Sequence, residues 1–233
     1  MRRLLSFVKP GVWEYEIEAE LMHEFLRNRS KGFAYTPIIA SGENANVLHY
    51  IANNMQCKDG DVILLDVGAE YANYSSDLTR MIPVNGKFTA RQKEIYNAVL
   101  DMKNFATSLL VPGNNWYDYH KECGEFYTSK FLELGLLDKA DVQNQDKNWP
   151  AYKKYMMHGT SHHLGLDTHD YGILKDKFVE NMVFTVEPGI YLPAEGFGVR
   201  IEDDMVIQNS GPAFNLMKNI PIEVEEIEEL MNS

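Results

Sequence analysis

Four carboxylates set into otherwise apolar strands constrain this chain more than any other feature. Asp66 closes the run Val62-Ile63-Leu64-Leu65, and Asp77 opens a second strand-like run that continues to Ile82. Opposed residues of an antiparallel pair are equidistant from its turn, so pairing Asp66 with Asp77 centres the turn between Tyr71 and Ala72. Both aspartates then point the same way from facing strands. Glu187, in Val183-Phe184-Thr185-Val186-Glu187-Pro188-Gly189, and Glu202, in Val199-Arg200-Ile201-Glu202, repeat the device. Their turn centres between Ala194 and Glu195, and Arg200 and Glu202 share a face of their strand.

One such acid would be read as a salt bridge or as a group facing water. Four of them, in two matching hairpins, need a counter-charge, because a buried unpaired carboxylate is costly and Arg200 alone does not supply enough. A histidine run offers the next donor. His158-Gly159-Thr160-Ser161-His162-His163-Leu164-Gly165 and His169-Asp170 place four of the seven histidines within residues 158–169. Four carboxylates and one imidazole make an oxygen-rich set whose charge matches two divalent cations. That set suits Mn²⁺ better than a thiolate-rich zinc site would. Two ions at ~3.5–4 Å form a hydrolytic pair.

Composition removes other classes. With 34 acids against 22 bases the net charge is −12, which repels phosphate and excludes nucleic acid as a partner. Cys57 and Cys123 have neither zinc-site nor CxxC spacing and read as free buried thiols of a cytoplasmic protein. The apolar run after Met1-Arg2-Arg3 ends at Lys9-Pro10-Gly11, too short for a signal peptide, and nothing approaches the ~20 apolar residues of a membrane span.

The 233 residues show no linker, so one domain over residues 1–233 is expected. Helical spacing predicts a helix over residues 13–28, with Ile17, Leu21 and Phe25 on one face. Strands are predicted over 33–40, 62–67, 77–82, 182–191 and 198–207. The capping box Thr89-Ala90-Arg91-Gln92 opens a helix to about Leu109. A further helix runs from Trp116 to Leu134 with Gly135 as its stop, and 223–229 is a short solvated helix. Helices and hairpins are segregated, which gives an α+β class.

At this point the residues resemble a known family. The thirteen residues from His158 to Asp170 are similar to the signature of the proline peptidases, which include aminopeptidase P and prolidase, with Thr168 where that family usually carries Val or Ile. Leu64-Leu65-Asp66-Val67-Gly68, Ser76-Asp77-Leu78-Thr79-Arg80, Val186-Glu187-Pro188-Gly189 and Arg200-Ile201-Glu202-Asp203 complete the match. Residues 41–50 resemble aminopeptidase P in particular.

The resemblance implies a pita-bread fold, two pseudo-symmetric halves around a curved antiparallel sheet. It implies two metal ions held by Asp66, Asp77, His162, Glu187 and Glu202, with Asp77 and Glu202 shared and with Mn²⁺, Zn²⁺ or Co²⁺ as the ion. Glu187 would move the proton, and His49 and His169 would bond the scissile carbonyl or the tetrahedral intermediate. His158 would wall the proline pocket. Tyr35 and Arg200 would orient substrate or support the ligands, and His163 would stay structural or at the rim. The activity implied is release of an N-terminal residue from peptides with proline second. Prolidase is the nearest alternative; methionine aminopeptidase, a metal-free creatinase-like enzyme and a non-catalytic binding module stand further off. Full-length members carry a separate N-terminal domain that closes the cleft and helps build an oligomer, so homo-oligomerisation is also implied; this chain begins in the first helix of the catalytic domain.

Overall fold

The computed structural model describes residues 1–233. Two helices come first, α1 (Arg2–Phe7) and α2 (Glu14–Arg27). They are followed by the strands β1 (Gly32–Phe33), β2 (Ile38–Ser41), β3 (Val62–Asp66), β4 (Ala69–Tyr71), β5 (Tyr74–Ser75) and β6 (Thr79–Pro83). The helices α3 (Ala90–Ser108), α4 (Trp116–Glu133) and α5 (Lys139–Gln143) cross the middle of the chain. The second set of strands is β7 (Val183–Val186), β8 (Gly189–Leu192), β9 (Phe197–Arg200), β10 (Asp203–Val206) and β11 (Phe214–Asn215), and α6 (Val224–Met231) closes the chain. Strand order is β2-β3-β6 and β1-β4-β5 in the first half, β11-β10-β7 and β8-β9 in the second, with antiparallel pairing throughout. This is the α+β arrangement expected.

The apolar runs are strands because they can be buried on both faces, and β2, β3, β6, β8 and β9 are buried along their whole length. The long helix α3 supplies much of the cover. Ile95, Val99, Met102 and Ala106 recur at helical spacing, are fully buried, and face β7, β8 and β9. Its start is fixed as the sequence predicts. Gln92 N–H donates to the Thr89 hydroxyl at 3.2 Å, and Thr89 N–H donates to Gln92 Oε1 at 2.8 Å. Gly135 ends α4 with φ +67. Cys57 and Cys123 are both free and buried.

Three expectations change. Residues 33–40 are two strands, interrupted by Ala34–Pro37, where Pro37 has no N–H for a ladder and the chain turns Tyr35 toward the centre. The runs 182–191 and 198–207 are each split, at Glu187-Pro188 and at Ile201-Glu202. The first hairpin turns one residue later than predicted, at Ala72–Asn73, both in the left-handed region (φ 52 and 71), with Asn73 N–H donating to Glu70 Oε1. Asp66 therefore faces Thr79 rather than Asp77. The offset is two residues, so Asp66 and Asp77 keep the same face and stand diagonally. The second hairpin has the predicted register. Val186 faces Asp203 on one side of the break and Gly189 faces Arg200 on the other, which sets Glu187 opposite Glu202.

α1 was not foreseen as a helix; Leu4 and Leu5 bury it against α2 and α6. No helix is long and apolar enough to cross a membrane.

Candidate metal centre and substrate cavity

The strand breaks are where the chemistry collects. All ten residues singled out in the sequence line one cavity of about 730 Å³: Tyr35, His49, Asp66, Asp77, His158, His162, His169, Glu187, Arg200 and Glu202. Its apolar lining comes from Ile38, Leu48 and Ile51. The break after β3 depends on Gly68, where a Cβ would stand 1.8 Å from the Ser76 carbonyl oxygen. Only glycine lets the two strands approach there, and the approach carries Asp77 to the floor of the cavity.

Asp77, His162 and Glu202 form the tightest group. One donor atom from each lies within 4.8 Å of the others. His162 Nδ1 is 2.9 Å from the His163 carbonyl oxygen, which can only accept, so Nδ1 carries a proton there. Its Nε2 is left facing Asp77 Oδ2 at 3.4 Å and Glu187 Oε1 at 3.8 Å. A neutral imidazole would aim a lone pair at two carboxylates, an arrangement that needs a cation between them, either a metal ion or a second proton. Burial pulls the His162 pKa down, but the hydrogen bond to Asp77 and the charge of Glu187 hold it above the usual histidine value.

The carboxylates are short of partners. Glu202 is 2% exposed; its Oε2 accepts from the Thr79 hydroxyl at 2.7 Å and its Oε1 accepts nothing. The Tyr35 hydroxyl lies 2.6 Å from Asp66 Oδ1 and 2.5 Å from Asp77 Oδ1, and its single proton serves only one of them at a time. Burial, reinforced by the neighbouring acids, lifts Glu202 well above the carboxylate range. Burial likewise lifts Glu187 to about 8 and raises Asp66, in spite of Arg200 beside it. An orphaned buried oxygen, an imidazole lone pair and crowded acids fit divalent cations as the missing charge.

Arg200 was expected beside Glu202. It pairs instead with Asp66, 2.5 Å from Oδ2, because β9 ends at Arg200 and the strand alternation that would align it with Glu202 is lost. Its other nitrogens donate to the Tyr191 hydroxyl (2.8 Å) and to Thr79 Oγ1 (3.3 Å), so every guanidinium nitrogen is already engaged inside the protein.

Tyr191 and Thr79 were missed. The Tyr191 hydroxyl lies 2.7 Å from His158 Nε2, while His158 Nδ1 lies 2.8 Å from the Gly159 carbonyl oxygen. The carbonyl fixes the proton on Nδ1, so Tyr191 donates to Nε2. Burial and the nearby Arg200 press His158 down to about 3, which keeps the ring neutral. Thr79 lies two residues beyond Asp77 and therefore on its face, a period-2 signal that the sequence did carry. Asp204 was also missed. Its Oδ2 accepts from the Asp77 backbone N–H at 3.1 Å, and burial pushes its carboxyl up to about 8.

The His158–His169 segment is held from behind by α4. The Tyr127 hydroxyl donates to Thr160 Oγ1 at 3.0 Å, and the Tyr119 and Ser161 hydroxyls lie 2.7 Å apart. The Thr160 carbonyl accepts from Glu187 N–H at 2.8 Å, which joins the segment to the strand break that carries Glu187. His163 turns away from the cavity onto Trp116 and Phe184. The His169 ring stands 4.2 Å from that of His162, and His49 is exposed at the rim.

Comparison with known proteins follows the same outline. The pattern described as metallopeptidase family M24 matches residues 1–209. The Xaa-Pro aminopeptidase of Haemophilus influenzae is 41% identical over 99% of this chain and 56% of its own length. The Xaa-Pro dipeptidase of Mus musculus is 35% identical over 99% of this chain and 55% of its own length. A zinc-substituted aminopeptidase P of E. coli in complex with product superposes with a TM-score of 0.91, at 38% identity, over 99% of this chain and 55% of that one. The chain spans about half the length of these relatives.

Proposed function

We propose, from the premise that this chain belongs to metallopeptidase family M24, that it carries the catalytic site of a metal-dependent Xaa-Pro aminopeptidase. Residues 1–233 are read as one pita-bread catalytic domain whose two broken hairpins, one carrying Asp66 and Asp77 and the other Glu187 and Glu202, are its pseudo-symmetric halves. The observation that carries the reading is the convergence of these acids and His162 on one cavity with too few internal partners for their charge. Asp66, Asp77, His162, Glu187 and Glu202 would hold two divalent ions, Mn²⁺ before Zn²⁺ or Co²⁺, because the donor set is mostly carboxylate. Such ions supply a water whose pKa is lowered toward neutrality.

The chain's own residues do the rest. Glu187, the most accessible of the four acids, takes a proton from the attacking water and returns it to the leaving nitrogen. His49 and His169 donate to the scissile carbonyl oxygen as charge develops there. The acidic floor attracts the positively charged amino terminus and so limits cleavage to the first bond. Proline in the second position brings no N–H and an apolar ring, which suits a wall made of the neutral, internally satisfied His158 ring. Tyr35 and Arg200 orient the aspartates rather than the substrate. A cytoplasmic location and homo-oligomerisation belong to the same reading.

Dipeptidase activity needs a cation free to take the substrate's C-terminal carboxylate, and Arg200, 3% exposed, is already paired with the Asp66 carboxylate. The test compares Xaa-Pro, Xaa-Pro-Yaa and Xaa-Ala peptides on the manganese-loaded full-length protein, with metal analysis beside it. Release of the first residue from Xaa-Pro-Yaa is expected. Cleavage confined to Xaa-Pro would make the protein a dipeptidase, and equal cleavage of Xaa-Ala would remove the proline requirement.

A further inference from the structure

Glu14 has no part in the chemistry above, yet it is one of the most heavily bonded carboxylates in the molecule. It opens α2 and is completely buried. Its Oε1 accepts from the Ser41 backbone N–H at 2.8 Å and from Asn44 Nδ2 at 3.1 Å. Its Oε2 accepts from the Tyr50 hydroxyl at 2.8 Å and from the Met55 backbone N–H at 2.9 Å. One turn along the same face, Glu18 Oε2 accepts from Asn53 Nδ2 at 2.9 Å, and Asn53 in turn accepts from Ile39 N–H at 3.0 Å.

All four donors to Glu14 belong to the segment 41–55. Residues 47–55 of that segment form neither helix nor strand, so they lack the ladder that normally satisfies a backbone and fixes its path. Charge-assisted bonds to a buried carboxylate, about twice as strong as neutral ones, replace it. The segment matters because Leu48, His49 and Ile51 reach the cavity from it. His49 sits between two of the points that Glu14 holds, Asn44 and Tyr50.

We propose that Glu14 is a positioning residue that fixes the rim segment 41–55 and, through it, sets His49 over the reacting carbonyl. The proposal rests on the peptidase reading of the cavity. The four bonds run from the last residue of β2, through the turn that carries Asn44, to Met55, so they bracket the irregular stretch that carries His49 on both sides. Glu14 touches none of the five acid and imidazole residues at the cavity floor.

The experiment uses the manganese-loaded full-length protein with Glu14→Gln, Tyr50→Phe, His49→Ala and the Glu14→Gln/His49→Ala double variant. Turnover of an Xaa-Pro-Yaa peptide, Mn²⁺ binding by calorimetry and amide exchange are measured on each. Glu14→Gln should lower kcat/KM on the order of 10- to 100-fold, the scale of a small misplacement of a catalytic group. Mn²⁺ affinity should stay close to wild type, and exchange should quicken across residues 41–55. In the His49→Ala background the same change should cost less than about twofold, because its effect runs through His49. Full additivity of the two losses, or unchanged turnover with a loosened segment, overturns the proposal. Tyr50→Phe removes one donor and should show the same pattern more weakly, which keeps the test open if Glu14→Gln fails to fold. If the wild-type protein cleaves no peptide, the peptidase reading falls first. Exchange in Glu14→Gln then still decides the anchoring: protection lost only in 41–55 upholds it, and unchanged protection ends it.

Discussion

Replacing Thr79 with Val tests how the acidic floor is held. The substitution keeps the branched shape and removes one oxygen. That oxygen donates to Glu202 Oε2 at 2.7 Å and accepts from Arg200 Nε at 3.3 Å, and Thr79 is completely buried. Glu202 Oε1 already has no partner, so the variant leaves this carboxylate with none. Leaving a buried acceptor without its partner costs about 1–3 kcal/mol, and the unpaired Arg200 N–H adds about 1 kcal/mol more. The metal-free protein should therefore lose about 3 kcal/mol. For a chain of this length each kcal/mol moves Tm by about 2–4 °C, so the shift is roughly 6–12 °C. Urea unfolding in chelator gives the free energy, with Thr79→Ser as control, since serine keeps the hydroxyl and loses only a methyl group. Calorimetry with Mn²⁺ should also show weaker binding in the Val variant, because Glu202 is no longer oriented. A Val variant as stable as wild type, or a Ser variant that falls as far as Val, would refute the assignment of that hydroxyl to Glu202.

Glu187→Gln should abolish peptide turnover while circular dichroism stays that of the wild type, since the change removes a charge and the proposed proton acceptor but almost no volume; near wild-type turnover would place the base elsewhere. Gly68→Ala should destabilise the protein by at least about 1–3 kcal/mol by thermal unfolding, the range for overpacking a tight site, because the new methyl meets the Ser76 carbonyl at 1.8 Å. Arg80→Met should cost about 3–5 kcal/mol by denaturant unfolding, as expected for one member of a buried pair. Arg80 is fully buried, 2.5 Å from Asp203, and Lys103 shares that carboxylate.

What could be read from the sequence, and what could not, follows the range of each interaction. A carboxylate inside an apolar run is a local anomaly, so Asp66, Asp77, Glu187 and Glu202 stood out. The second hairpin had the right register because its connector holds strong turn chemistry, Pro193 at the start and Gly196 in the left-handed region (φ +74). The first did not, because Ala72 adopts φ 52 without any composition signal for it. Contacts between distant parts of the chain were out of reach. Arg200 joins Asp66 across 134 positions, so its neighbour in sequence, Glu202, looked like the partner. Tyr191 looked like core, since a buried strand shows its ring and not what its hydroxyl meets. These distant contacts are polar and sit at strand breaks, where pairing between neighbouring strands stops specifying geometry. At each break a side chain takes over: Tyr35 between Asp66 and Asp77, Thr79 under Glu202, Asp204 beneath the Asp77 backbone. The hairpins bring the four acids to one cavity, and these supporting groups fix how Asp66, Asp77 and Glu202 are turned. A cation bound beside Asp77, His162 and Glu202 would meet donor atoms already grouped, so little ordering of these three is left to be done on binding. The same groups leave the acids repelling one another until that charge arrives, which ties the stability of the two hairpins to occupancy of the centre.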